Sequence, residues 1–256
     1  MPHDRHPVRL VGAGPGPADL LTIRALRAIE GAEALLYDAL VAEEVLALAP
    51  AACVKIQTGK RAGRTSLKQE TINRLMLRLA RRGLKVVRLK GGDPSIFGRV
   101  GEEAAFLHAH GVDTEVVPGV TAACAAAAQF GFPLTHRGQA RRVVFTTARL
   151  EAGAVQADWA AAADPEATLA VYMGRDTAPR IAQALIAAGR SPRTPVAILE
   201  NVGGPAARAA FEGTLLGLAQ AMLAPGEGPA LVVVGDVLAA MTAAAEARPA
   251  IPSRAR

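Results

Sequence analysis

The chain has 256 residues, 51% of them hydrophobic and 4% aromatic, with a formal net charge of +6. That length suffices for one large or two smaller cores, and no uninterrupted apolar run reaches the roughly 18 residues of a membrane span. Residues 1–9 carry charges and two prolines where a secretory signal would be apolar, so a soluble, unexported protein without a membrane partner is expected, and the dispersed basic residues and scarce aromatics speak against nucleic-acid binding.

In chain order, short runs rich in Val, Ile and Leu alternate with stretches of helical period, the pattern of an α/β protein with a largely parallel sheet. Strands are predicted at Val8 to Val11, Ala34 to Tyr37, Val54 to Gln57, Val86 to Leu89 and Thr114 to Val117, with helices near Leu20 to Glu30, Lys68 to Arg82 and Glu102 to His110. A Pro-Gly turn then opens an Ala-rich helix, Thr121 to Gln129. A second series of strands follows at Val143 to Thr147, Leu169 to Met173, Val196 to Leu199, Arg208 to Glu212 and Leu231 to Val234, its later members hairpin-like. The expected division is therefore a first α/β domain over 1–119, a second over 120–247 and a fraying, proline-punctuated tail over 248–256.

Arginine outnumbers lysine 24 to 5, a bias that suits a carboxylate-bearing or phosphate-bearing partner and equally suits a GC-rich genome. Cys53 and Cys124 stand far apart, and none of the five histidines has zinc-type spacing, so two buried, reduced thiols and no metal are expected.

The first strand runs into Gly12-Ala13-Gly14-Pro15-Gly16-Pro17, a glycine-rich turn of the kind that receives an anionic or polar ligand at a helix start. Pro15 and Pro17 remove N–H donors that a dinucleotide fingerprint would aim at a pyrophosphate, which disfavours a nicotinamide cofactor. Asp38 falls at a strand's C-terminal edge, either as a ligand-crevice residue or as a helix N-cap. The segment 58–64, Thr-Gly-Lys-Arg-Ala-Gly-Arg, reads as a loop gripping an acidic ligand or as a solvated basic loop.

The segment 86–103, Val-Val-Arg-Leu-Lys-Gly-Gly-Asp-Pro-Ser-Ile-Phe-Gly-Arg-Val-Gly-Glu-Glu, is the most distinctive. Taken with the turn at 12–16, Tyr37-Asp38, Gly59-Lys60-Arg61, the segment 117–121 (Val-Pro-Gly-Val-Thr), the segment 133–137 (Pro-Leu-Thr-His-Arg) and Tyr172-Met173-Gly174, it resembles the uroporphyrinogen-III C-methyltransferase family, in order, over roughly residues 8–237. The resemblance implies the tetrapyrrole methylase fold, two α/β domains with the active site in the cleft between them, in a cytoplasmic homodimer. It implies S-adenosylmethionine as cofactor, contacted by Pro15, Gly91, Gly92, Asp93, Ile96, Thr121, Ala122, Met173 and the backbone near Val202, with Asp38 as proton acceptor and Lys60 as proton donor. The implied reaction is two successive C-methylations of uroporphyrinogen III, through precorrin-1 to precorrin-2, feeding sirohaem or cobalamin synthesis.

The chemistry of these residue types is compatible with those roles. Gly91 and Gly92 allow close backbone approach, and Asp93 can accept from ribose hydroxyls or an amino group. Ile96 and Met173 offer apolar surface, although such residues are more often core. Arg61, Arg99 and Arg137 are candidates for holding substrate carboxylates, with Glu102 orienting Arg99; the alternative for the last two is a structural helix pair. The chain departs from the family pattern at Thr65, at Val100, at Thr146-Thr147-Ala148 and at Val202-Gly203. A later precorrin as substrate, an RNA or translation-factor substrate, and a non-catalytic S-adenosylmethionine-binding module are the competing readings.

Overall fold

The computed structural model describes residues 6–59, 67–148, 159, 161–226 and 228–241. Its contacts divide the chain into two compact units, 1–122 and 123–256.

The first unit is built on strands β1 (Val8–Gly12), β2 (Ala34–Tyr37), β3 (Val54–Gln57), β4 (Val86–Lys90) and β5 (Thr114–Val117), in the order β3-β2-β4-β1-β5. Every pairing is parallel. One face packs on α1 (Ile23–Glu30) and α2 (Glu43–Leu46) through Val11, Ile29, Leu35, Val45 and Leu89. The other packs on α3 (Gln69–Arg81) and α4 (Val100–Ala109) through Leu10, Leu36, Met76, Val86 and Leu107. Strand residues alternate between the two faces, so Leu36 and Asp38 share the α3/α4 side with Val86, Arg88 and Lys90. The expected helix from Leu20 begins three residues later, because Thr22 caps it by accepting the Ala25 N–H at 3.1 Å. Asp38 is not a helix cap; α2 opens after Ala42.

The second unit holds β6 (Arg142–Thr147), β7 (Ala167–Tyr172), β8 (Pro195–Glu200), β9 (Arg208–Thr214) and β10 (Ala230–Val234), in the order β6-β7-β10-β8-β9. Only β6 and β7 pair in parallel; β10 runs against both of its neighbours, and β8 and β9 form a hairpin. The expectation of a largely parallel sheet thus holds in the first unit and not in the second. β7, β8 and β10 are buried almost throughout, and continuous apolar runs of that kind look the same whichever way the strand points. Helices α5 (Ala122–Phe130), α6 (Ala178–Ala187) and α7 (Leu215–Gln220) complete the described α-helices, α6 and α7 closing over Leu169, Ile198 and Val232.

Candidate active site

A parallel sheet brings all its strand C-termini to one edge, and in the first unit that edge carries the loops after β1 to β5. Two of them, after β1 and β4, are joined backbone to backbone, and a third, after β5, through a side chain. The Ala13 amide donates to the Lys90 carbonyl at 2.8 Å, and Gly14 and Gly92 exchange bonds at 3.2 and 2.7 Å. The Asp93 carboxylate accepts the Ser95 amide at 2.8 Å through Oδ1 and the Gly119 amide at 2.9 Å through Oδ2. Asp93 therefore fastens its own loop to the one after β5, while each oxygen keeps a further lone pair for a ligand donor.

Glycine is required where these loops meet. A Cβ on Gly12 would lie 2.7 Å from the Gly92 carbonyl oxygen, whereas one on Gly92 would meet nothing nearer than 3.9 Å. Backbone is thus exposed beside Gly92, where a nucleoside-bearing molecule can approach; this fits the cofactor that the resemblance implies. Pro15, Gly91, Gly92, Asp93, Ile96 and Ala122 are half-buried along this edge and Thr121 is buried.

Asp38 stands just past β2. Its Oδ1 accepts from Arg88 at 2.5 Å and from the Thr58 hydroxyl at 3.2 Å, with the Asp38 side chain 33% exposed. Arg88 and Lys90, both buried on β4, share the fully buried Glu103 of α4. Burial, then the neighbouring Arg88, press the Lys90 ammonium below lysine's ordinary value, and Glu103 pulls it back. Arg88, Lys90 and Glu103 are not among the candidates singled out from the sequence. Their signal was two cations at alternate positions of an otherwise apolar strand, which demand a buried anion opposite.

Arg99 lies at the start of α4, exposed, and grips Glu102 through two bonds of 2.8 and 2.6 Å. Val100, one of the departures from the family pattern, packs with Phe106 against the α3/α4 core. Lys60, Arg61 and Thr65 lie outside the described residues.

In the second unit, Met173 follows β7 and is 49% exposed. Gly174 behind it has no room for a side chain, a Cβ lying 3.0 Å from Val171 and 3.1 Å from Ile181. Arg175 bonds the buried Glu200 at the end of β8 and donates to the Ala224 carbonyl at 2.6 Å. The next turn holds Val202, whose side chain is buried, and is clasped by Gln129: Oε1 accepts the Gly203 amide at 2.8 Å and Nε2 donates to the Gly204 carbonyl at 3.3 Å. Arg137 is exposed at the tip of a tight turn closed by His136 and Ala140, and it makes no ion pair among the described residues.

Among the described residues, the non-glycine positions with left-handed backbone are Phe97, Arg99, Met173 and Asn201. Such a conformation costs about 1 kcal/mol or more and concentrates at ligand sites. All four fall in the segments after β4, β7 and β8 to which the resemblance assigns ligand contacts.

Residues 7–219 match the model of the tetrapyrrole (corrin/porphyrin) methylases. The chain belongs to that family. Siroheme synthase of Chromobacterium violaceum is 47% identical over 232 residues, covering 90% of this chain and 49% of the relative; the chain spans about half the length of the curated relatives it matches. The native uroporphyrin III C-methyl transferase of Thermus thermophilus is 42% identical, with a TM-score of 0.77 over 91% of this chain and 93% of its own. The form complexed with S-adenyl homocysteine is 44% identical, with a TM-score of 0.78 over 91% and 99%. A cobalt precorrin-4 methyltransferase follows at 29% identity and a TM-score of 0.76, over 90% and 95%.

Proposed function

We propose that this methylase transfers methyl groups from S-adenosylmethionine to carbons of uroporphyrinogen III, twice in succession, by way of precorrin-1 to precorrin-2, and so feeds sirohaem or cobalamin synthesis. The observation that carries the reading is Asp38, a carboxylate fixed by Arg88 and Thr58 at the same sheet edge as the interlocked glycine loops. The relatives at 42% and 44% identity are named for this reaction, and one of them holds the demethylated cofactor.

When bound, S-adenosylmethionine supplies a methyl on a sulfonium sulfur, which departs with the C–S electron pair as a neutral thioether. A pyrrole carbon is nucleophilic enough to take that methyl directly, so the protein's task is alignment, exclusion of water and removal of one proton. In this reading Pro15, Gly91, Gly92, Asp93, Ile96, Thr121, Ala122, Met173 and Val202 hold the cofactor. Arg61, Arg99 and Arg137 pair with substrate carboxylates, Glu102 orienting Arg99. Asp38 accepts the proton that leaves the methylated macrocycle, its C–H pair returning to the ring, and Lys60 serves as proton donor. Residues 1–119 provide the substrate side and residues 120–247 share the cofactor. No metal, nucleic acid or membrane takes part, and the working form is a cytoplasmic homodimer; among the described residues no helix is long and apolar enough to cross a membrane.

The test is anaerobic incubation of the purified protein with S-adenosylmethionine and uroporphyrinogen III, followed by product mass and absorbance. A gain of two methyl groups is expected. No uptake, or uptake on a later precorrin alone, would overturn the substrate assignment.

A further inference from the structure

Arg88 is held on three sides. Nε donates to Glu103 Oε1 at 3.2 Å, one terminal nitrogen donates to the Leu89 carbonyl at 3.3 Å, and the other reaches Asp38 Oδ1 at 2.5 Å. Glu103 is fully buried and accepts in addition from Lys90, at 2.9 and 3.0 Å, and from Gln69 of α3 at 2.9 Å. Two cations and two anions thus form a closed set beneath the sheet edge.

An arginine beside a carboxylate ordinarily grips it with two parallel N–H bonds, one to each oxygen. Here the Nε edge of Arg88, which would make the second bond, is occupied by Glu103. Asp38 is therefore held by one oxygen only, and among the described residues Oδ2 has no hydrogen-bond donor. We propose that Glu103 is a positioning residue for proton abstraction: by taking the Nε edge of Arg88 it restricts that arginine to one oxygen of Asp38 and leaves the other to receive the substrate proton. Lys90 supplies the second positive charge that makes a buried Glu103 tolerable. The proposal rests on Asp38 being the proton acceptor, and the experiment separates the two ideas.

The full chain is compared with Asp38→Asn, with Glu103→Leu combined with Lys90→Met so that the charges cancel, and with all three substitutions together. Methyl transfer to uroporphyrinogen III is followed as kcat and as KM for both substrates, with single-turnover runs over hours for slow variants. The Glu103→Leu/Lys90→Met protein is expected to lose about tenfold or more in kcat, from misplacement of the acceptor, with KM values within about threefold. Added to Asp38→Asn, the same pair should cost nothing further, because the group it positions is already gone. An equal loss in both backgrounds, or a kcat within about twofold of the parent, overturns the positioning role. A fully active Asp38→Asn protein overturns the acceptor reading itself, whatever Glu103 does. Should the paired variant not fold, Glu103→Asp, which keeps the charge and withdraws the carboxylate by one methylene, is read on the same two quantities with the same outcomes.

Discussion

Replacing Gly119 by alanine isolates the contribution of the interlocked loops. A Cβ there would lie 2.3 Å from the Gly92 carbonyl oxygen and 2.9 Å from the Gly12 Cα. Since carbon and oxygen settle no closer than roughly 3.3 Å, the loops after β4 and β5 must part by about 1 Å. All the atoms met are backbone, and they are pinned by the Ala13–Lys90, Gly14–Gly92 and Gly119–Asp93 hydrogen bonds, so no flexible side-chain end can yield. The expected cost is about 1–3 kcal/mol of stability, as for other forced overpacking. Displacing the proposed cofactor loop by that distance should lower catalytic efficiency by about 10²-fold. Thermal denaturation and calorimetric titration with S-adenosylhomocysteine read stability and binding separately. Gly101→Ala is the control, because a Cβ on this α4 residue meets nothing within 4 Å; it should be neutral or add up to about 1 kcal/mol. A Gly119→Ala protein with unchanged Tm and an affinity within about twofold of the parent would refute the idea that backbone contact shapes this site.

Arg99→Ala should raise KM for uroporphyrinogen III by about tenfold, as for loss of one carboxylate contact, and move stability by under about 0.5 kcal/mol, since the Arg99–Glu102 pair is exposed; an unchanged KM removes Arg99 from the substrate site. Hydrogen bonding from Arg99 holds the Glu102 carboxyl below its ordinary value. The pair's small contribution is therefore complete above the unfolded glutamate value of about 4.3 and fades as pH falls through the lowered folded one. Melting curves of Glu102→Gln and the parent should differ slightly at pH 7 and coincide in strong acid, and a gap that widens in acid would contradict this. The expectation of two buried thiols fails at Cys124, which is exposed, while burial pushes the Cys53 thiol upward. A thiol reagent should accordingly modify Cys124 at once and Cys53 only on unfolding, read by mass after timed quenching; rapid double labelling of the native protein would refute it.

The first sheet was legible because its strands are short apolar runs punctuated by Gly, Asp or Pro, and three of the five predicted strands match to the residue, at Ala34–Tyr37, Val54–Gln57 and Thr114–Val117. In the second sheet the hairpin-like reading of the later strands is met by β8 and β9, but the antiparallel course of β10 was not legible, since β7, β8 and β10 are buried on both sides and carry no polar face to orient them. Helices α6 and α7 lie outside the expected elements, although Ala178–Ala187 buries Ala178, Ile181, Ala182 and Leu185 at helical spacing and so carries a readable stripe, whereas Leu215–Gln220 is too short to show one. The adjacent glutamates on α4 show the limit most clearly. A helix turns about 100° per residue, so Glu102 meets Arg99 in solvent while Glu103 enters the core. Which of the two points inward depends on where β4 places Arg88 and Lys90, and only the packed structure supplies that.

The departures from the family pattern bear on substrate choice through where their side chains go. A larger residue reshapes a pocket only if its added atoms face the pocket. Val100 is half-buried and packs against the α3/α4 core, and Val202 is 8% exposed within a turn whose position Gln129 fixes through the backbone of Gly203 and Gly204. Both side chains thus make contact with the protein's own interior. On that ground both departures are compatible with the proposed uroporphyrinogen III substrate.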